Sequence, residues 1–347
     1  MEKVLVAMSG GVDSSASLVL LSRMGYAPYG VTMELLNGIK GITPYTEKDA
    51  ASACAAKMGA PFEAVDYSAD FERHVVAPFV QSYLDGETPN PCLECNKYIK
   101  FGKLFEKADE LGIKYVATGH YARIEEKDGV FYLKKGVDPK KDQSYVLCNL
   151  TQAQLARLIF PLGGMTKEQI RDIASETGLP NADKAESQDI CFIKDGEYHS
   201  FVSLYSGVSP RKGAFLDMEG RPIGVHLGSI RYTIGQRRGL GTGFGERVYV
   251  VSKDVRKNTV TLGSNADLFS DTAILQRVNI ISGTFPTEPF RANVRIRYQH
   301  KEQPASVIPN ADGTLKVKFD EPQRAIAPGQ WGVIYDGDYV IGGGVIM

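Results

Sequence analysis

Over its first 120 residues the chain alternates short β-branched runs with amphipathic helical patterns, and few folds accommodate that alternation. The pattern predicts strands at residues 4–8, 29–33, 62–65 and 115–118. It predicts helices at residues 13–24, 70–84 and 97–111, with a further helix that ends near Met58. A strand–helix–strand order is typical of a parallel sheet that helices cover on both faces. We therefore predict an α/β domain at the start of the chain.

In open sheets of this class, ligands bind beyond the carboxyl ends of the strands. Three of the predicted strands are followed by Ser9 to Ser15, by Met33 and the residues after it, and by Gly119 with His120. We therefore expect these segments to border one ligand site.

The rest of the chain changes in character after about residue 200. Helix-like periodicity continues at residues 151–177, whereas later runs such as RVYVVSKD, ANVRIRY and QWGVIYDG alternate between turn residues. This alternation indicates β structure, either a small barrel or a sandwich. We predict a catalytic domain at residues 1–200, a small central domain at 201–275 and a C-terminal β-barrel at 276–347.

The segment between the first strand and the first helix has the composition of an anion site. It consists of Ser9, Gly10, Gly11, Val12, Asp13, Ser14 and Ser15. The glycines let the backbone turn tightly, and the N–H groups at the start of a helix attract phosphate. The chain contains no GxxxxGK[ST] sequence, so this is not a Walker loop. The alternative is a glycine-rich turn in which Asp13 and the serines cap the helix.

The chain has five cysteines, which are too few and too irregularly spaced for a disulfide framework. Cys92 and Cys95 form a CxxC pair at the predicted start of a helix, with Lys97 and Lys100 nearby. A helix start and positive charge both favour thiolate, so we expect a lowered thiol pKa.

Other roles for these cysteines remain open. The CxxC pair could be half of a zinc site, although no second pair completes four ligands. Cys191 has apolar neighbours and could be a buried core residue, as we expect for Cys54 and Cys148.

The formal net charge of −1 divides unevenly along the chain. Residues 1–200 carry 22 Lys and Arg against 28 Asp and Glu, whereas residues 201–347 carry 18 against 13. The basic C-terminal part suits contact with phosphates, although ordinary surface scatter would look the same.

We expect the protein to be cytoplasmic and to have no membrane partner. No stretch approaches the roughly 18 uninterrupted apolar residues of a spanning helix. The N-terminal sequence MEKVLVAMSGG lacks the basic and long apolar regions of a secretory leader.

The segment SGGVDSS resembles the pyrophosphate loop of the ATP pyrophosphatase superfamily. Five further motifs together resemble the tRNA-specific 2-thiouridylase family, and they are spread over nearly the whole chain: TPNPCLECNKYIKF, GHYAR, KDQSYVL, SQDICFI and HLGSIRYTIGQRRGLG. The resemblance implies an adenine-nucleotide α-hydrolase-like domain, with a parallel sheet and helices on both faces. A small central domain and a C-terminal β-barrel follow it.

The resemblance also implies a reaction, the ATP-dependent 2-thiolation of the wobble uridine (U34) of tRNA. ATP adenylates the C2 oxygen of the uridine, and sulfur then displaces AMP. By resemblance, Ser9 to Ser15, Met33 and Gly119 bind ATP, magnesium accompanies it, and Asp13 orders the metal or the phosphates. Cys95 corresponds to the nucleophile and Cys191 to the persulfide carrier, and the two can form a disulfide.

By resemblance, further residues contact the tRNA. Asn90, Pro91 and Cys92 approach the target base, and His120 and Gln330 help to select the tRNA. Asp142, Gln143, Ser144, Arg297 and Tyr298 contact the RNA elsewhere. The implied partners are tRNAs of the Lys, Glu and Gln type, together with a sulfur donor such as a cysteine desulfurase or a sulfur-carrier protein.

One position departs from the family pattern, because many members carry Asp where this chain has Cys92. With Cys92, Cys95 and Cys191, the chain has three thiols that could hold a [4Fe-4S] cluster, so a cluster route competes with the persulfide route. Two other functions are also open: a ligase in which ammonia attacks an adenylate, and a non-enzymatic RNA-binding or iron–sulfur carrier protein.

Overall fold

The structure is a computed structural model that describes residues 1–44, 47–182, 190–193, 197–241, 243, 245 and 247–347. The strands of the N-terminal domain are β1 (Lys3–Ala7), β2 (Ala27–Glu34), β3 (Phe62–Asp66), β4 (Tyr115–Ala117), β5 (Ala122–Lys127), β6 (Val130–Lys135) and β7 (Leu158–Ile159). Its helices are α1 (Val12–Arg23), α2 (Lys48–Lys57), α3 (Ser68–Phe71), α4 (Ala77–Leu84), α5 (Pro91–Glu94), α6 (Leu104–Glu110), α7 (Gln152–Leu155) and α8 (Lys167–Glu176).

Two π-helical segments make longer helices out of these pieces. Glu72–Val76 joins α3 to α4, and Cys95–Lys103 joins α5 to α6. The helix that carries the CxxC pair therefore begins at Pro91, earlier than the predicted residue 97. Pro91 suits the first helical position, and the Asn90 side chain caps the helix by accepting a hydrogen bond from the Cys92 N–H.

The N-terminal domain is built on a five-stranded parallel sheet in the order β3-β2-β1-β4-β7. Alternate residues of β1 face opposite sides, as the two-residue period of a strand requires. Val4 and Val6 pack in a core with α1 and α2, whereas Leu5 packs in a core with α6. Helices thus cover both faces, as predicted.

The central domain begins with α9 (Tyr198–Ser206) and continues with a four-stranded sheet in the order β10-β11-β8-β9. Its strands are β8 (Gly213–Leu216), β9 (Pro222–His226), β10 (Tyr249–Asp254) and β11 (Thr259–Gly263). Phe215, Val250 and Val260 are fully buried in the core of this domain.

The C-terminal domain is a closed antiparallel barrel. Its strands are β12 (Phe269–Ile280), β13 (Phe290–Arg295), β14 (Gln303–Pro309), β15 (Leu315–Arg324), β16 (Trp331–Asp336) and β17 (Tyr339–Ile346). Their order is β12-β15-β14-β13-β16-β17, and the pairing of β17 with β12 closes the ring. The predicted parallel-sheet domain, small central domain and C-terminal barrel are therefore confirmed.

The hairpin β5–β6 connects the N-terminal domain to the C-terminal barrel. It belongs to the N-terminal domain, yet β6 pairs with β17 at Lys134 and Tyr339. Arg123 strengthens this junction through an ion pair with Asp338, with 3.1 Å between Nη2 and Oδ2. The hairpin thus extends the barrel sheet to eight strands.

Several details differ from the sequence predictions. Residues 151–177 contain a short edge strand, β7, between α7 and α8, and the hairpin β5–β6 was not predicted. The boundary placed after residue 200 falls within α9, and the boundary placed after residue 275 falls within β12. The same alternating pattern continues on both sides of residue 275, so the sequence does not mark the start of the barrel. Within the described residues, no helix is both long and apolar enough to cross a membrane.

Candidate active site

A cavity of about 430 Å³, here called the reaction cavity, lies beyond the carboxyl ends of β1, β2 and β4. The cavity is lined by Ser9 and Gly119, which follow β1 and β4, and by Met33 near the end of β2. The fold therefore brings these three segments to one cavity, as expected. Cys92, Cys95 and Cys191 also line this cavity.

The loop after β1 is shaped by its glycines and serines. Gly10 has a φ of +73°, and a Cβ atom there would lie 2.5 Å from Cβ of Glu47. The Ser14 hydroxyl accepts a hydrogen bond from the Ser9 N–H at 3.2 Å and donates one to the Gly11 carbonyl at 3.0 Å. The loop is therefore closed on itself around the start of α1, where the first N–H groups have no acceptor within the helix.

Not every residue of the loop faces the cavity. Ser9, Asp13 and Ser14 line it, whereas Val12 and Ser15 are buried beneath it. Gly119 packs directly on the loop, since a Cβ atom there would lie 3.1 Å from the Asp13 carbonyl carbon and the Ser14 nitrogen. Glycine at position 119 therefore allows β4 and the loop to approach closely.

Asp13 is held by two donors that the sequence analysis did not identify. Its Oδ1 accepts hydrogen bonds from the Tyr121 hydroxyl at 2.7 Å and from Lys167 Nζ at 2.6 Å. Lys167 is nearly buried and stands in the first turn of α8. Lys167 thus places positive charge beside the loop after β1, although it lies more than 150 residues further along the chain.

Asn181 braces the other side of the loop and was also missed. Its Nδ2 donates to the Gly10 carbonyl and to the Ser15 hydroxyl, both at 2.9 Å. The Cys54 thiol donates in turn to Asn181 Oδ1 at 3.4 Å. Cys54 is therefore a buried structural residue, as predicted. No local motif distinguishes Lys167 or Asn181 in the sequence, because tertiary packing alone brings them to the loop.

The π-helical segment Cys95–Lys103 arranges the thiol side of the cavity. Its hydrogen bonds join residues five apart, which is the separation of Cys95 and Lys100, and both side chains line the cavity. Cys92 and Cys191 reach solvent, Cys95 is half-buried, and all five cysteines are free thiols.

The thiol of Cys95 is not acidified, and the predicted lowering of its pKa is wrong. Burial raises the pKa of this half-buried thiol to about 11, and the positive charge of Lys100 opposes the increase. Burial at the cavity wall therefore outweighs the helix start and the lysine.

His120 is both a core residue and a cavity residue. It is 6% exposed, its Nε2 lies 3.5 Å from Lys100 Nζ, and its Nδ1 lies 2.7 Å from the Thr118 hydroxyl. Burial, and then the charge of Lys100, hold the pKa of His120 well below its usual range. Because an ammonium only donates, Nε2 of the neutral imidazole accepts and Nδ1–H donates to Thr118.

Cys92, Cys95 and Cys191, the proposed cluster ligands, line one cavity. In the part of the chain that the structure describes, no three His, Cys, Asp or Glu side chains lie close enough together to hold a single metal ion. A [4Fe-4S] cluster binds each cysteine through a different iron, so its thiolates stand farther apart than the ligands of one ion. The cluster therefore stays a prediction.

The residues associated with RNA by resemblance divide into two groups. Pro91, Cys92, His120 and Gln143 line the reaction cavity, and Asn90 lies next to it as the cap of α5. The second group is engaged inside the protein and does not line that cavity; it comprises Asp142, Ser144, Arg297, Tyr298 and Gln330.

The internal contacts of the second group connect the N-terminal domain with the barrel. Asp142 accepts from Ser144 Oγ at 2.9 Å and pairs with Arg295 at 3.5 Å. Arg297 donates to the Ala325 carbonyl, and Tyr298 donates to the Asp142 carbonyl at 3.4 Å.

Gln330 donates from Nε2 to the Thr88 carbonyl at 2.6 Å, beside the segment that carries the CxxC pair. Asp142, Tyr298 and Gln330 thus hold the N-terminal domain against the barrel.

Three family models together match most of the chain. Residues 2–195 match a tRNA methyl transferase HUP domain, residues 199–264 a tRNA methyl transferase PRC-barrel domain, and residues 270–346 an aminomethyltransferase β-barrel domain. The matched segments follow the three domains of the fold.

Full-length relatives carry a more specific description. The tRNA-specific 2-thiouridylase MnmA of Clostridioides difficile (strain 630) is 44% identical over 355 residues, covering 99% of this chain and 98% of that protein. The protein of the same name from Carboxydothermus hydrogenoformans is 46% identical over 356 residues, covering 99% and 97%.

A solved structure described as a predicted subunit of tRNA methyltransferase from Methanocaldococcus jannaschii DSM matches at 23% identity, over 51% of this chain and 75% of that chain, with a TM-score of 0.34. Similarity at that level adds nothing to the assignment. The two full-length relatives span all three domains with the same described activity, so the chain belongs to the tRNA-specific 2-thiouridylase family.

Proposed function

We propose that the protein uses ATP to replace the C2 oxygen of the wobble uridine (U34) of tRNA with sulfur. The observation that carries this proposal is the reaction cavity itself. Residues of the loop after β1 line this cavity together with Cys92, Cys95 and Cys191, which come from two other parts of the chain. A ligase that uses ammonia gives these three thiols no role.

The loop side of the cavity suits activation of the uridine by ATP. The start of α1 attracts the phosphates, and Lys167 offsets the negative charge of Asp13 beside them. Met33 and Gly119 line the same cavity, and we propose that they contact the adenosine, as the family resemblance implies. The uridine C2 oxygen attacks the α-phosphorus, pyrophosphate leaves, and the oxygen becomes part of a good leaving group, AMP.

Magnesium fits this site as a companion of ATP. It keeps several water and phosphate ligands and needs only one or two protein carboxylates, and the Asp13 carboxylate lines the cavity. When bound, it would neutralise phosphate charge.

The thiol side suits sulfur transfer through a persulfide. The outer sulfur of a Cys191 persulfide attacks C2 of the activated uridine, and AMP leaves with the original oxygen. Cys95 then attacks the inner sulfur of Cys191, the sulfur–sulfur bond to the uridine breaks, and 2-thiouridine leaves. Cys95 and Cys191 end as a disulfide, so an external thiol must supply two electrons before the next turnover.

Lys100 supports this chemistry electrostatically. Its charge opposes the raised pKa of Cys95, and its Nζ lies 3.5 Å from Nε2 of His120, which lines the same cavity. Of the two routes that these three cysteines leave open, we propose the persulfide route. Cys92 lines the cavity, and we propose that it assists as a third thiol beside the target base.

The remaining parts of the proposal concern partners and location. The substrates would be tRNAs of the Lys, Glu and Gln type, with Asn90, Pro91 and His120 near the base. A cysteine desulfurase or a sulfur-carrier protein would load Cys191. We place the reaction in the cytoplasm, whose reducing conditions keep such thiols free.

The proposal is tested by incubating the protein with ATP, a U34 tRNA and a cysteine desulfurase with cysteine. AMP release and 2-thiouridine are measured, the latter by nucleoside mass spectrometry. We expect wild-type protein and the control Cys148→Ala, which lies outside the cavity, to thiolate the tRNA. We expect Cys95→Ser and Cys191→Ser to lose thiolation by at least a hundredfold. Normal thiolation by either variant would overturn these roles.

A further inference from the structure

A second cavity of about 150 Å³ lies beside the reaction cavity, between the N-terminal domain and the barrel. The two cavities share Val75 and Pro91 as walls, so a ligand in one lies next to a ligand in the other. The second cavity has about a third of the volume of the first. It therefore has room for a single ring system rather than for a second nucleotide.

The lining of the second cavity combines apolar faces with hydrogen-bonding edges. Phe79, Pro91 and Trp331 supply apolar surface, and the polar groups of Asn90, Glu94 and Gln276 lie around it. Unstacked RNA bases bind to proteins in this way, with their faces on apolar or aromatic side chains and their edges on polar groups.

The backbone beside this cavity is strained. Arg277 has a φ of +50°, which is unusual for a residue other than glycine, and the register of β12 against β17 shifts between Gln276 and Asn279. Arg277 forms an ion pair with Glu94 at 2.8 Å, and its side chain is 62% exposed. Because an exposed ion pair contributes little to stability, it does not offset the backbone strain. Strain and bulges of this kind concentrate where side chains are aimed at a ligand.

The walls of the cavity are also held from both domains. The Thr88 N–H donates to the Pro328 carbonyl at 2.8 Å, and the Thr88 carbonyl accepts from Gln330 at 2.6 Å. Gly329 fits closely here, since a Cβ atom would lie 2.8 Å from Cβ of Glu87. The cavity is thus preformed before any ligand arrives.

We propose that this second cavity binds the nucleobase adjacent to the target uridine in the anticodon loop. The proposal rests on the proposed function, because the target uridine must occupy the reaction cavity for its neighbour to reach Pro91. Pro91 would separate the two bases, Glu94 would accept a hydrogen bond from the edge of the second base, and Arg277 at the mouth would face the connecting phosphate.

Trp331 provides a direct readout, since it is the single tryptophan of the chain and lines this cavity. The test titrates the full-length protein with an anticodon stem-loop and follows Trp331 fluorescence and affinity. Two further stem-loops lack one base each, at the position before or after the target uridine. We expect one of these abasic RNAs to lose most of the fluorescence change and to bind at least about fivefold more weakly.

A cavity-filling variant completes the test. Ser82 lines the second cavity, whereas its neighbour Gln81 is exposed on the same helix, so Ser82→Leu is compared with Gln81→Leu. We expect Ser82→Leu to weaken binding of the intact stem-loop and to cause no further loss with the sensitive abasic RNA. We expect Gln81→Leu to behave like wild type.

Equal affinity and equal fluorescence change with all three stem-loops would show that the second cavity does not bind a base. The same conclusion would follow if Ser82→Leu and the missing base each weakened binding and the two losses added. Thiolation is assayed in parallel. If removing either neighbouring base leaves binding unchanged, the second cavity is not a base site. If binding depends on the base but no 2-thiouridine forms, the proposed function is wrong.

Discussion

Asp13 shows how single residues shape the nucleotide side of the cavity. Its carboxylate is held by Tyr121 and Lys167, and it stands in the first turn of α1. A hydrogen bond to a charged group contributes about 1.5–3 kcal/mol. Lys167 is buried at 8% exposure, so its charge is little screened by water.

We predict that Lys167→Met raises the KM for ATP by roughly tenfold. This increase corresponds to the lower end of the free-energy range for a hydrogen bond to a charged group. The variant removes positive charge from the anion site and frees Asp13 to repel the phosphates. Lys167→Arg should recover part of the affinity. Arg171→Met, an exposed position on the same helix, is the control. Steady-state AMP release measures the effect, and an unchanged KM in Lys167→Met would contradict it.

The raised thiol pKa predicts a pH dependence for Cys95. A thiol whose pKa is about 11 is mostly protonated at neutral pH, so its thiolate fraction grows about tenfold per pH unit up to that value. The rate of Cys95 alkylation by iodoacetamide should therefore keep rising above pH 9.5. Lys100→Met should slow alkylation further at each pH, whereas the exposed Lys97→Met should not. A plateau near pH 8.5 is the contrary result.

Among the elements, the loop between β1 and α1 has the strictest backbone requirements. Gly10 and Gly11 are adjacent, yet only Gly10 has a positive φ and a close neighbour in Glu47. A Cβ atom at Gly11 would meet only the Ser9 hydroxyl, at 3.5 Å. The two glycines therefore have different physical roles.

We predict that Gly10→Ala destabilises the protein by about 2 kcal/mol, from the left-handed conformation and the contact with Glu47. Gly11→Ala should cost less than about 1 kcal/mol, the difference between glycine and alanine at a helix cap. Urea unfolding measures both values. Equal losses in the two variants would show that the loop does not have this shape.

Across the whole molecule, the nucleotide domain and the barrel share one core. Leu5 of β1, Tyr145 and Trp331 belong to the same buried cluster, and the Tyr145 hydroxyl donates to the Trp331 carbonyl at 2.9 Å. The hairpin β5–β6 adds a strand connection between the same two domains. These contacts leave the two domains little scope to unfold separately.

We predict a single unfolding transition in urea for these two domains. Fluorescence of Trp331 reports the barrel and far-UV circular dichroism reports the helices, and the two curves should coincide. ATP at a hundred times its Kd should stabilise both signals by about 2.7 kcal/mol, although Trp331 is outside the reaction cavity. An ATP-insensitive Trp331 transition would show that the barrel unfolds on its own.

Tertiary contacts also explain which parts of the site could be predicted from the sequence and which could not. The loop after β1 and the CxxC pair were predicted because the strand–loop–helix order and the short spacing are local patterns. Lys167 and Asn181 were missed because they meet the loop only through tertiary packing. The thiol pKa was predicted in the wrong direction because helix starts and lysines are visible in a sequence, whereas burial of a cavity wall is not.

The central claim is that sulfur passes from Cys191 with the help of Cys95. The most direct measurement is a single turnover without external reductant, with persulfide-loaded protein, ATP and a U34 tRNA, followed by peptide mass spectrometry. The mechanism predicts one Cys95–Cys191 disulfide for each 2-thiouridine formed. Formation of 2-thiouridine while both cysteines stay open to alkylation would contradict it.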